Sequence, residues 1–355
     1  GRFDQLLKLM LPEQSAMLAA GDPRMAAAFF LRLASTSTYL GQHDAAVAHA
    51  ERALHEATMA GDTSAMGKAH FQLSLENFWA RPVLGVQHGE QAVALLEGTR
   101  ERWSLGQACW ILGLNLSYRG RFIDGLAFQQ RARTLADATG DRRLASYAAW
   151  TTGFIHSLAG DLDDAVEACR LSVELSLDPL NRMTSQGMLA LALVERGDSA
   201  EACAVLDEAI PRAVQFSIPQ MHGLFLAFRG EATLQRGDPE AARDIAAGGA
   251  RITREARYEY GRGWAQRVQA RIEAAVGDTA AAEAFLRQSI DTFQAMGAPF
   301  EVARTQVELA QLLADLNRRA EALDLAQEGV TTLGTLQAAR HAARSRGVLE
   351  RLSAG

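Results

Sequence analysis

Apolar residues recur at helical spacing along nearly the whole chain, in short runs broken at regular intervals. The pattern is clearest between Asp141 and Leu175. Leu144, Tyr147, Ala148, Phe154, Ile155 and Leu158 form one stripe, and Leu162, Ala165, Val166, Cys169 and Val173 form the next. Gly160 can take the left-handed conformation that stops the first helix, and Asp161 can cap the second. So short a turn makes the two helices an antiparallel hairpin. Neither stripe can be buried alone, which predicts a repeating unit.

The register supports repetition. Gly41, Gly120, Gly160, Gly197, Gly237, Gly277 and Asn317 all stand where one stripe stops and another starts. From Gly120 onward the steps are about 40 residues, with one of about 37, a period typical of helical solenoids. Five residues after each turn comes a small side chain: Ala46, Gly125, Ala165, Ala202, Ala242, Ala282 and Ala322. A small residue there lets the second helix approach the first closely. The expected architecture is all-α: a right-handed α-solenoid of about eight hairpins forming a single domain over 1–355. Within it, 1–22 is an N-terminal capping helix, 23–333 holds the repeats and 336–355 is a C-terminal capping helix. Phe3, Leu6, Leu7 and Met10 at one end, and Val348 and Leu349 at the other, should lie against the adjoining repeats. The second repeat is irregular: HFQLSLENFW ends at Arg81-Pro82, and its second helix is expected to start near Val86.

Composition narrows the function classes. An apolar content of 48% with only 7% aromatic suits Ala-rich helix pairs. A net charge of −6 argues against a nucleic-acid platform. Cys109, Cys169 and Cys203 are far apart and lack metal-ligand spacing, so they read as small buried residues in a reducing compartment. There is no signal peptide and no membrane-length apolar run, and a cytoplasmic protein without membrane contact is expected. The chain opens with Gly1-Arg2 rather than methionine, as a fragment of something longer would. Gly61 to Ala69 imitates a phosphate loop, but its glycines are one residue too far apart and Ala69 replaces the magnesium-binding hydroxyl. His55-Glu56 lacks the second histidine of a zinc helix, and His156 sits on an apolar face as a packed residue would. Asp161, Asp163 and Asp164 are sufficiently explained as helix-start charge. No catalytic constellation, cofactor motif or metal site emerges, so no enzyme is expected.

These units resemble tetratricopeptide repeats, which pair a helix bearing a small residue with a second helix after a Gly turn. Gly113 and Gly153 match the small position of the first helix, and Ala165, Ala202, Ala242, Ala282 and Ala322 that of the second. No unit has the full Trp-Leu-Gly-Tyr signature, and the period exceeds the usual 34 residues by about six, so each hairpin should be longer. Long repeats joined by segments such as ATGD (138–141) and AGDT (60–63) are similar to the C-terminal sensor regions of large bacterial signalling ATPases. These include MalT-like and other large LuxR-type activators and cyclase-linked ATPases. The stretch from Met296 to Leu313, followed by RRAEALDLAQEGV, is especially like their last repeats. The resemblance implies a non-catalytic sensor arm that binds a small-molecule or peptide effector in its concave groove. The ATPase and effector domains would then lie outside this chain. An interaction scaffold that holds a partner peptide or helix is the alternative.

In tetratricopeptide folds the first helix of each pair lines the groove. Ten residues before each turn stand Leu31, Trp110, Trp150, Gly187, Ala227, Arg267 and Val307; six before stand Ser35, Leu114, Phe154, Leu191, Glu231, Arg271 and Gln311. The rows are four apart and share a helix face. The second repeat offers Phe71 there, with Trp79 nearby; Tyr39 and Tyr118 share a register two before their turns, and Tyr147 and Trp264 one thirteen before. The expected groove is therefore aromatic at first, floored by Gly187 and Ala227, and charged later through Glu231, Arg267 and Arg271. Aromatic planes would stack on an apolar or sugar-like ligand, and the arginines would hold a carboxylate or phosphate. The competing explanations are that the aromatics fill space between hairpins and that the charges form a solvated salt-bridge face. An enclosed pocket at Gly187 and Ala227 would favour a small molecule, and an open channel a peptide or partner helix.

Overall fold

The computed structural model describes residues 2–78 and 80–354. The chain opens with α1 (Arg2–Met10), a 3-10 turn at Leu11–Glu13 and α2 (Gln14–Ala19). Eight hairpins follow: α3 (Pro23–Tyr39) with α4 (His43–Ala60), α5 (Thr63–Asn77) with α6 (Pro82–Glu97), α7 (Arg102–Tyr118) with α8 (Phe122–Thr139), and α9 (Arg142–Ala159) with α10 (Leu162–Leu175). Then come α11 (Pro179–Arg196) with α12 (Ser199–Gln215), α13 (Pro219–Gln235) with α14 (Pro239–Glu255), α15 (Glu259–Val276) with α16 (Thr279–Met296), and α17 (Pro299–Asp315) with α18 (Arg319–Thr335). Helix α19 (Ala339–Ala354) ends the series. There is no strand among the described residues, and none of their helices is long and apolar enough to cross a membrane.

Every turn expected from the register has a positive φ, from Gly41 at 68° to Gly277 at 89°, and Asn317 at 60°. All but Gly160 close their helix with a Schellman motif, as where Asp278 N–H bonds Glu273 C=O and Gly277 N–H bonds Ala274 C=O; at Gly160 both N–H groups of the turn bond His156 C=O. The same motif also joins successive hairpins, at Gly61, Gly140 and Gly297 and at the non-glycine residues Ser217, Arg257 and Gln337. Asp62, Asp141, Asp238 and Asp278 then cap the next helix by accepting from its first N–H groups, each worth about 1 kcal/mol. Asp161 makes no such bond; its carboxylate instead takes the Arg340 guanidinium at 2.9 Å. The short step between Gly160 and Gly197 reflects α10, which stops at Leu175. In the second repeat α6 begins at Pro82 rather than near Val86, because a proline suits the first helical position, where no N–H is needed.

The small residues five after each turn are all buried, six of them alanines with no exposed surface. Their neighbours on the first helices approach to backbone distance. A Cβ placed on Gly153 would overlap the Cys169 sulfur and the Ala165 carbonyl of the facing helix. Burial in that apolar seam pushes the Cys169 thiol well up, which keeps it unreactive.

By their contacts the residues fall into two compact units: Gly1–Asn115 with Ala127–Leu144, and Leu116–Leu126 with Ala145–Gly355. In the first unit, Leu7 and Met10 of α1 pack on Phe30 and Leu33, and the Phe3 ring stacks on Tyr39 at 4.6 Å. In the second unit, the successive hairpins bring distant turns together. Tyr118 packs at 4.8 Å from Tyr260, Phe122 at 5.1 Å from Phe300, and Arg340 donates to the Gly160 carbonyl at 3.0 Å. In the same unit, charged side chains of α11, α13, α15 and α17 meet around one space.

Candidate functional site

Helices α11, α13, α15 and α17 each turn one face towards this space, α11 and α13 presenting glutamates, α15 an arginine and α17 both signs. Glu195 of α11 receives Arg304 of α17 at 2.7 and 2.8 Å. Glu308, one turn beyond Arg304, accepts from Nη2 and Nε of Arg271 on α15 at 2.6 and 3.0 Å. Arg271 also reaches Glu231 of α13 at 3.1 Å. Arg304 Nε stands 3.9 Å from Glu308, which joins these pairs into one chain across four helices. Arg267 lies behind it, fully buried, bonded to Glu301 at 2.5 Å and 4.9 Å from the Trp264 ring centroid. Glu301 is fixed on its other oxygen by the Tyr260 hydroxyl at 3.0 Å.

The electrostatics follow from this pairing. Burial alone would raise the Glu308 carboxyl, but Arg271, Arg267 and Arg304 outweigh it and hold it at about 2. Glu195 is lowered in the same way, chiefly by Arg304 against its own burial. His341 on α19 is depressed to about 4 by burial and then by the nearby Arg304, so it is neutral near pH 7. Arg304 Nη1 and Glu231 Oε2 are buried with no hydrogen-bond partner among the described residues.

A cavity of about 510 Å³ opens beside this lattice. Its polar wall includes Glu195, Glu231, Arg271, Arg304 and Glu308, and its apolar wall includes Leu286, Leu312, Leu333 and Val348. Helix α19 closes one side with His341, Arg344, Ser345 and Val348, which recur at three- and four-residue spacing on one face. The volume falls in the range typical of ligand pockets, about 300–1,000 Å³.

Of the site residues expected from sequence, the structure brings Glu231 and Arg271 to this cavity, with Val307 and Gln311 of the same two rows. Arg267 stands just behind them, neutralised in the core rather than presented to a ligand. The expected small-walled floor is not open. The Phe225 ring occupies the space over Gly187, and Ala227 is fully buried, its backbone against Gly249. The aromatic row serves packing. Trp110 in the first unit and Trp150 in the second are each only 7% exposed, and Phe154 packs edge-on to Tyr118 and Tyr260. Trp264 is fully buried against Phe228, while Phe71 and Tyr147 are half-buried. Trp79 lies outside the described residues.

Sequence reasoning missed Glu195, Gln235, Arg304, Glu308, Asp315 and the whole α19 face. A signal for several was present. The four-spaced rows extended one step further, to two before the turn, reach Glu195, Gln235 and Asp315, and Arg304 stands thirteen before its turn, in register with Tyr147 and Trp264.

A family model of the tetratricopeptide repeat matches residues 183–208, 223–247, 263–288 and 303–328, the four hairpins from α11 to α18. Among solved structures, the chain is similar to a Rap protein complexed with competence and sporulation factor (13% identity, TM-score 0.61, 92% of this chain and 97% of that one). It is also similar to the Rap conjugation gene regulator of plasmid pLS20 in complex with the Phr* peptide (12%, 0.63, 94% and 96%). A third is NprR in complex with its cognate peptide NprX (12%, 0.58, 86% and 94%). No curated protein matches the sequence. Register and comparisons agree on the fold, that of a tetratricopeptide-repeat α-solenoid, and the four matched hairpins are tetratricopeptide repeats.

Proposed function

We propose that the chain is a regulatory tetratricopeptide domain that captures a short peptide in the cavity of its second unit. The observation that carries this reading is the cavity itself, where a pre-paired lattice of carboxylates and guanidiniums faces an apolar wall. A peptide offers backbone donors and acceptors to the first and side chains to the second. Two of the similar solved structures hold peptides, which supports the same use here. A bound peptide would touch α11 at Glu195 and α19 at Arg344 together, and so couple repeats far apart in sequence. Such coupling shifts an equilibrium only if the ligand prefers one arrangement of those repeats. In a longer protein that shift would release an attached ATPase or other effector domain. This reading rests on the resemblance of the last repeats to sensor arms of signalling ATPases.

The test is to select binders from a randomised hexapeptide library and titrate them into wild-type protein and Gln311→Trp. Gln311 is exposed and lines the cavity, so an indole there fills the space without disturbing the core. Loss of binding with an unchanged melting temperature is expected. Equal binding by both proteins would contradict the reading.

A further inference from the structure

Most charges lining the cavity neutralise one another. Glu195 pairs with Arg304, Glu308 with Arg271, and Arg271 with Glu231. To a ligand this part of the wall is polar but nearly neutral, and breaking any pair would expose an uncompensated charge. His341 adds no charge near pH 7. Among the described residues, two lining charges remain that make no ion pair, Asp315 and Arg344.

Their positions differ in an informative way. Asp315 is the last residue of α17, exposed, where its negative charge meets the negative end of the helix dipole. Among the described residues it makes no ion pair. Arg344 is exposed on α19, on the face that closes the cavity, one turn from Val348. Leu312 and Val348 supply apolar lining close to each in sequence. Exposed, unpaired charges on a cavity wall cost little to hold there and can bond an incoming group without first releasing a partner.

We infer that Asp315 and Arg344 set the specificity of the cavity, selecting a dipolar peptide with one cationic and one anionic group separated by an apolar segment. This rests on the peptide reading above and names the chemistry of its ligand. Asp315 takes the ammonium or guanidinium group, and Arg344 takes the carboxylate, to which its fork can donate two bonds. The two groups come either from the free peptide termini or from a basic and an acidic side chain.

Two reversals test it, Arg344→Glu and Asp315→Arg, both at exposed positions. Hexapeptides selected on the wild type are retested with acetylated amino and amidated carboxyl ends, which separates termini from side chains. One charge-assisted bond corresponds to roughly tenfold in affinity. Each variant should weaken the wild-type binders by about that factor or more. A fresh selection on Arg344→Glu should drop the anionic group, and one on Asp315→Arg the cationic group. Binders that lose affinity with Gln311→Trp but bind both reversals as they bind the wild type overturn the charge assignment alone. A library that yields no wild-type binder overturns the peptide reading and this inference with it.

Discussion

Arg304 on α17 places Nη2 2.7 Å from one oxygen of Glu195 and 2.8 Å from the other, joining residues 109 positions apart. Both side chains are nearly buried, at 11% and 13% exposure. Removing one partner strands the other charge, so Arg304→Ala should destabilise the second unit by about 3–5 kcal/mol. The double variant Glu195→Ala/Arg304→Ala should cost less than the sum of the singles. Denaturant unfolding of the four proteins measures the coupling, and strict additivity would show that the pair is incidental.

Acid should weaken the same region. The folded-state value of Glu308, about 2, lies below its ordinary value of 4.5. Its contribution is therefore complete above about pH 4.5 and is lost as pH falls towards 2. Glu308→Gln should flatten that part of the stability profile, as followed by urea unfolding between those pH values. An unchanged slope would mean that the lattice does not hold this carboxylate.

The close approach at Gly187 is specific to one ring. A methyl group there would overlap Phe225, so Gly187→Ala should lower stability by about 1–3 kcal/mol. Gly187→Ala/Phe225→Leu should recover part of the loss. Thermal melting compares the two, and no recovery would place the strain elsewhere.

Arg257 has a φ of 52° with no glycine to ease it. Arg257→Gly should be neutral to stabilising, by up to about 1 kcal/mol, since the relief of left-handed strain exceeds the added entropy of glycine. Gly277→Ala, at 89°, should destabilise by a similar amount. Opposite signs in chemical denaturation check the assignment of these turns.

The repeat register was legible because each turn is written in a local code. Glycine takes the left-handed residue, and a small residue five later permits the close pack. Ser217, Arg257 and Gln337 adopt the same turn without that signature, because the Schellman bonds and the packing of the next helix impose it. Charged residues on the shared face were legible too, as Glu231 and Arg271 show. Which of them meet was not. Glu195 and Arg304 are brought together only by the stacking of intervening hairpins, which no local pattern encodes. The aromatic row misled for a related reason. A large ring on the face of a first helix is drawn into contact with rings from later hairpins, as Phe154 is with Tyr260, instead of facing a ligand.

The cavity reading is tested most directly by hydrogen–deuterium exchange with and without a hexapeptide selected on the wild-type protein. Slower exchange is predicted in α11 around Glu195, in α15 and α17 from Arg271 to Gln311, and in α19 around Arg344. Protection confined to α5 and α7, which carry Phe71 and Trp110, would contradict it and return the binding site to the aromatic row.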